Sequence, residues 1–293
     1  QKSHAMMPVV IEKHDRLRVF YTTRHVDGQS RISYYDVEKI NPTKILYVHN
    51  EPVIEVGSIG TFDDCGTVAT FIIRDEDKVL LYYNGYNVRN TVPWSNSIGV
   101  AASYDDGNTF TKLFKGPIMD RFKNDEYFTI TPWIIKKAGT WHMWYTSGTG
   151  WLNINGRKEP IYDIKYAKSI NGIDWSRAFE IAIPQTNPEE CVARATILQR
   201  QDNLYMWFIY RGSRDFRDGI DSYRIGFALG NINTPNIWVR NDAEAGIQVG
   251  PEEYDNLMQT YPYVIKVDDK IFMFYNGNGF GANGILCSEL IEQ

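Results

Sequence analysis

One hairpin pattern, written five times, constrains this chain more than any other feature. Its template is Thr129 to Trp151: a short apolar strand (ITPWII), a polar turn carrying Gly (KKAGT) and an aromatic strand (WHMWYTSG). The last apolar residue before the turn, Ile135, stands ten positions before Tyr145 (145 − 135 = 10). The same interval separates Ile11 from Tyr21, Ile73 from Tyr83, Leu198 from Phe208 and Ile265 from Tyr275. The aromatic anchors are 62, 62, 63 and 67 residues apart (83 − 21, 145 − 83, 208 − 145, 275 − 208), a repeat period that decides architecture before local propensity does.

A third strand follows each anchor: RISYYDV, SIGVAASY, DIKYAKSI, YRIGFAL and GILCSEL. In the second and third units DDGNTF and NGIDW then turn the chain back into a fourth, outer strand, because Asp-Gly and Asn-Gly favour the positive φ of a tight turn. The expected architecture is all-β, a five-bladed β-propeller with four antiparallel strands per blade and the first strands around a central shaft. A β-sandwich would explain alternating strands but gives no reason for five copies of one interval. The fifth unit reaches Gln293 just after its third strand, so either the ring closes without a strand exchange or residues are missing. Gln1 to Ala5 (QKSHA) reads as a cloning remnant, leaving residues 6–293 as one domain.

Composition narrows the partners. The net charge of −5 comes with scattered Lys and Arg and no basic block, which argues against nucleic acid. No apolar run approaches the ~18 residues of a membrane span, so a soluble protein is expected. Three cysteines, Cys65, Cys191 and Cys287, have no metal-type spacing and are expected as free thiols of a reducing, cytoplasmic compartment. The five histidines form no cluster, so no metal or other cofactor is expected. GNGFG at Gly277 to Gly281 lacks the strand-to-helix context of a phosphate loop and reads as a hairpin turn. With 19 Tyr, 14 Phe and 8 Trp, the aromatic load suits both strands and carbohydrate surfaces.

If first strands surround an axis, chemistry belongs at their N-terminal ends, where the units converge. Counting back nine positions from each register residue gives Asp64 (73 − 9), Glu126 (135 − 9), Glu189 (198 − 9) and Asn256 (265 − 9), with Asp63, Glu190 and Asp255 alongside. For any one of them a solvated loop carboxylate is the bland reading. Three in one register on adjacent units fit a proton donor and acceptor either side of a glycosidic bond. Long segments after the second strands, Asn87 to Ser97, WLNINGRKEPIY and SRDFRDGIDSY, fall at one place in the repeat and map to one face.

These motifs, FDDCGTVATFII, YYNGYN, IGVAASYDDGNTF, TPWII, MWYTSG, IKYAKSINGIDW, MWF and MFYNGNGFG, resemble the five-bladed propeller glycosidases: the arabinanase, xylosidase, invertase and mannoside-phosphorylase superfamily. Most closely the chain resembles glycosidase-like propellers found beside sugar-polymer biosynthesis genes. The resemblance implies a saccharide substrate, with Asp64 as base or nucleophile, Glu126 as modulating carboxylate and Glu189 or Glu190 as acid. Glu190-Cys191 resembles the Glu-Cys pair of the invertase branch, whereas register favours Glu189. The invertase-type Asn-Asp-Pro and Arg-Asp-Pro segments are absent.

Around the carboxylates, Arg194 lies on the fourth unit's first strand at the level of Thr131 and Tyr261. A bidentate contact to a hydroxyl, carboxylate or phosphate and a salt bridge to Glu189, Glu190 or Glu126 both fit it. Arg24 and Arg211 follow second strands and can reach the same mouth or bond blade edges. Asn84 and Asn276, next to Tyr83 and Tyr275, suit vicinal hydroxyls or turn formation, and Tyr145 holds the matching place in the third unit. Trp94, Trp151 and Tyr86 lie in or beside the long segments, where rings stack on a sugar face or pack the loops. Hydrolysis is the leading function. Phosphorolysis or glycosyl transfer using the arginines for phosphate, and glycan binding without turnover, are the alternatives.

Overall fold

The structure, a computed structural model, describes residues 2–217 and 219–291. Its first unit is β1 (Lys2–Glu12), β2 (Arg16–His25), β3 (Ser30–Glu38) and β4 (Ile45–Val48); the second is β5 (Gly66–Asp75), β6 (Lys78–Val88), β7 (Trp94–Ser103) and β8 (Thr111–Lys112). The third is β9 (Thr129–Lys137), β10 (Thr140–Ile154), β11 (Arg157–Ser169) and β12 (Ser176–Ile181); the fourth is β13 (Cys191–Arg200), β14 (Asn203–Arg211), β15 (Arg224–Asn231) and β16 (Trp238–Arg240). The last is β17 (Thr260–Val267), β18 (Lys270–Asn276) and β19 (Leu286–Leu290), three strands among the described residues. Each unit is an antiparallel meander, and the first two share one sheet through the single parallel pair Ser30 and Gly66. The fold is thus all-β, with two short 3-10 turns among the described residues, and the first strands pack in sequence: β1 on β5, β5 on β9, β9 on β13, β13 on β17 and β17 on β1.

Residues 2–5 lie within β1, where Ala5 O accepts from Asn276 Nδ2 at 2.8 Å. Two expectations are corrected here. Asn87 to Ser97 is mostly strand, since β6 runs on to Val88 and β7 begins at Trp94. The segment WLNINGRKEPIY extends the β10–β11 hairpin, with Ile154 paired to Arg157 across Asn155-Gly156. Both turn residues are left-handed, at φ 50° and 83°, the geometry that a two-residue turn imposes and Asn-Gly accommodates. Gly156→Ala is expected to cost about 1–2 kcal/mol, read as a lower urea midpoint with unchanged slope, because nothing lies within 4 Å of an added Cβ and only the backbone angle opposes it.

The repeat has a packing cause. In three units the anchor tyrosine donates its hydroxyl to a buried aspartate twenty residues upstream: Tyr83 to Asp63 at 3.1 Å, Tyr145 to Asp125 at 2.9 Å and Tyr275 to Asp255 at 3.0 Å. The residue after the anchor then clasps the next unit. Thr22 Oγ1 accepts from Ala69 N at 3.1 Å, Asn84 Oδ1 from Thr131 N at 3.0 Å, Thr146 Oγ1 from Arg194 N at 3.1 Å and Asn276 Oδ1 from Met7 N at 2.9 Å. Each first-strand N–H so satisfied sits at a break in its ladder, where it would otherwise be a buried orphan donor.

Candidate functional site

Those ladder breaks build the site. Two residues leave the pairing in β1 (Met7, Pro8), β9 (Thr131, Pro132), β13 (Arg194, Ala195) and β17 (Tyr261, Pro262). Proline suits a bulge because it has no N–H to give to a ladder. The first residue of each pair is left-handed: Met7 at φ 55°, Thr131 at 47°, Arg194 at 54° and Tyr261 at 55°. A non-glycine residue there costs about 1–3 kcal/mol, and strain of this kind gathers at functional sites. All four line one cavity of about 320 Å³, and Val68 of β5 completes the ring of first strands.

The cavity also takes in Arg24, Asn84, Trp94, Arg211 and Glu159, together with the aromatic side chains of Tyr162, Phe216, Tyr223 and Phe280. Arg211 is buried with its guanidinium fixed: Nε donates to the Tyr162 and Tyr223 hydroxyls at 2.9 and 3.0 Å, Nη1 to Gly212 O and Nη2 to Pro160 O, both at 2.7 Å. It lies 3.8 Å from the Phe216 ring centroid. Arg194, also buried, spans the interior to Thr70 O and Pro8 O, each at 2.9 Å. The ion pair to Glu189, Glu190 or Glu126 that its sequence position allowed is not made. Burial pulls the Arg194 guanidinium down to about 10, so it remains a cation at neutral pH. Trp94 is propped edge-on by Trp151 and tilted against Phe128, each with ring centroids 4.9 Å away. Trp151 therefore packs behind the wall.

Of the residues singled out from sequence, Arg24, Asn84, Trp94, Arg194, Arg211 and Tyr261 line this cavity, whereas Tyr83, Tyr145, Trp151 and Asn276 do not. Asn276 has both ends engaged, accepting from Met7 N and donating to Ala5 O and Gly284 O. None of the four carboxylates lies in the lining. Asp64 caps its own loop: Gly60 N donates to it at 2.8 Å and Asn87 Nδ2 at 2.6 Å, and the Gly60 bond leads the effects holding its carboxyl below the usual range. Glu126 is exposed, while its neighbour Asp125 is the buried one. Glu189 is exposed and paired with Arg214, which holds it low. For Glu190, burial pushes the carboxyl up, but Arg240 and Thr186 outweigh it and the group stays low. A general acid needs the opposite shift.

The carboxylate that the cavity does contain, Glu159, escaped the sequence reading. It is 5% exposed and receives Arg217 Nη2 at 2.9 Å on Oε1 and 2.8 Å on Oε2. The signal that would have found it is Asn155-Gly156. Once that pair is read as a hairpin turn, Glu159 pairs with Leu152 on a strand that runs into the cavity wall. Phe280 was missed similarly, because GNGFG is a 3-10 turn, Asn278–Gly281, with Phe280 at φ 57°.

Comparison with solved structures agrees with this architecture. The chain superposes over 100% of its length on 88% of a glycoside hydrolase, with TM-score 0.75 and 14% identity. Over 100% of its length and 91% of the other chain it matches a thermostable family-43 glycoside hydrolase, with TM-score 0.70 and 13% identity. A third match, TM-score 0.68 at 13% identity over 98% of this chain and 84% of the other, comes from the GH130 family of mannoside phosphorylases and glycoside hydrolases that target β-1,2 mannosidic linkages in Candida mannan. The fold is one that glycoside hydrolases share. No protein-family model matches the chain. In sequence it is 34% identical over 286 residues, 97% of its length and 91% of the other's, to the uncharacterized protein MT1551 of Mycobacterium tuberculosis strain CDC 1551 / Oshkosh. The same figures relate it to the uncharacterized protein Rv1502 of strain H37Rv. The chain belongs to the family of these two mycobacterial proteins. Among the described residues no helix is long and apolar enough to cross a membrane.

Proposed function

We propose that the protein is a five-bladed β-propeller that binds a saccharide in this cavity and acts on it as a glycosidase-type, carbohydrate-active enzyme, with Glu159 as the working carboxylate. One observation carries the reading: four strained first-strand bulges put Met7, Thr131, Arg194 and Tyr261 into the lining of a single cavity, with Trp94, Tyr223 and Asn84 beside them. The aromatic rings offer faces to a sugar ring. The Asn84 amide nitrogen, without a protein partner among the described residues, offers a donor to a hydroxyl. Five meanders whose first strands pack in a cycle support the blade count.

Glu159, held by Arg217, is placed to take a proton from the attacking water as that oxygen bonds to the anomeric carbon and the glycosidic C–O bond breaks, the leaving oxygen taking its proton from solvent water. A second carboxylate to protonate the leaving oxygen is not among the lining residues described, which favours binding without turnover as the second reading. A panel of aryl glycosides and oligosaccharides, assayed with and without phosphate, separates them. Product formation that falls about a hundredfold in Glu159→Gln is the expected result. Saturable binding with no product would select the second reading, and no saccharide binding would overturn both. Turnover lost in Asp64→Asn or Glu190→Gln, with the fold retained, would move the chemistry out of the cavity.

A further inference from the structure

The cavity's charge does not match a neutral sugar. Its lining holds Arg24, Lys158, Arg194, Arg211 and Arg217 against the single carboxylate Glu159, an excess of four cations (5 − 1 = 4) in a chain whose net charge is −5. Only Arg217 has a carboxylate partner among the described residues. Arg194 and Arg211 are each 2% exposed and bond only carbonyls and hydroxyls. Buried charges are ordinarily paired, because several kcal/mol of hydration is lost with no Coulombic return. Nor are their donors used up. A guanidinium has five N–H groups, and Arg194 leaves Nε–H and one hydrogen on each terminal nitrogen without a protein acceptor among the described residues, while Arg211 leaves one on each terminal nitrogen. Arg24 and Lys158 are exposed, and their side chains have no hydrogen bond or ion pair to any described residue.

We infer that the cavity is built for an anionic group, the carboxylate or phosphate of a charged saccharide, held by Arg194 and Arg211 at its wall and drawn in by Arg24 and Lys158. This rests on the reading of the cavity as a saccharide site. The fixed guanidiniums supply pre-aimed donors with little ordering cost, and the planar fork matches a carboxylate or phosphate edge. A neutral sugar could use the same N–H groups but would leave the charge excess in place. Glu159 keeps Arg217 neutralised and leaves the other cations to the ligand.

Isothermal titration with four sets of probes tests this: neutral monosaccharides, the corresponding uronic acids, the corresponding sugar phosphates, and inorganic phosphate alone. The uronic acid or sugar phosphate is expected to bind at least tenfold tighter than its neutral counterpart, with an advantage that shrinks as salt rises. Arg24→Ala and Lys158→Ala, at exposed positions whose side chains have no partner among the described residues, should each weaken that binding severalfold, and Lys44→Ala, a surface cation paired with Glu38, should not. Neutral sugars binding as tightly as charged ones, with both rim variants unaffected, would overturn the inference and leave the saccharide reading standing. Inorganic phosphate binding as tightly as any sugar phosphate would overturn the saccharide reading and identify a free-anion site. No binding of any anionic probe would overturn the inference outright.

Discussion

Replacing Arg240 with Met is expected to destabilise the protein by about 3–5 kcal/mol at neutral pH, the range for breaking one side of a buried ion pair. Arg240 meets Glu190 with two parallel bonds, Nη1 to Oε2 at 2.7 Å and Nη2 to Oε1 at 2.9 Å, and reaches Asp242 Oδ2 at 2.7 Å. The side chains of Arg240 and Glu190 are 8% and 5% exposed, so Met refills the stem but strands the carboxylate. The pH dependence follows from the direction of the Glu190 shift. Burial alone would raise its carboxyl, yet Arg240 and Thr186 hold it below the usual range. A depressed carboxyl contributes stability that is complete above its ordinary range and is lost as pH falls through the folded-state value. The deficit of Arg240→Met should therefore be largest at pH 7 and shrink toward acid, and Glu190→Gln added to it should recover part of the loss. Urea unfolding at pH 7 and pH 4 measures both. A deficit under about 1 kcal/mol would mean that Glu190 does not depend on Arg240, and would return it to consideration as a reacting acid.

Why Glu190 and its companions read as catalytic from sequence is a matter of register. The ten-residue interval fixed the hairpins because an aromatic anchor must land on the buried face of every second strand. It could not tell which of two adjacent acids faces inward. In FDDCG and NDEYF the inward residue is Asp63 or Asp125, tied to Tyr83 or Tyr145, and one position on, Asp64 and Glu126 face away from it. A slip of one residue in an extended chain moves a side chain to the other face. Arg194 and Tyr261 were legible because their level on the first strands is set by the same interval, and Arg24 and Asn84 because they closely follow an anchor. Three of the four bulges are written as Met-Pro, Thr-Pro and Tyr-Pro, a signal visible in sequence once the strands are aligned, whereas the one at Arg194 is written Arg-Ala and carries no such mark. Glu159 was hidden because the segment carrying it passes for an insertion until its Asn-Gly turn is recognised.

Asp163→Asn should do the reverse of the Arg240 substitution and stabilise the protein, by about 3 kcal/mol at most, above pH 6. Asp163 pairs with Ser147 across the β10–β11 ladder and is 2% exposed, and its Oδ1 has no hydrogen-bond partner among the described residues. Burial leads in pushing its carboxyl up to about 6, with Asp125 adding to the rise and Lys165 opposing it. The folded-state value lies above the unfolded 3.8, so between the two the folded chain binds the extra proton. This residue's contribution therefore falls as pH climbs through that window, and above it the wild type carries the full penalty of a buried, under-bonded charge. Asn keeps the shape and removes the charge, so its advantage should be greatest at pH 7–8, decline below pH 6 and vanish near pH 4. Because Asp125 is already bonded by Tyr145, Ser147, Lys165 and Arg177, removing the neighbouring charge should leave that cluster in place. Urea midpoints of wild type and variant across pH 4–8 decide it: a difference that does not change with pH would mean that Asp163 is not the group titrating there, and a less stable variant at pH 8 would mean that its ionised form is bonded after all.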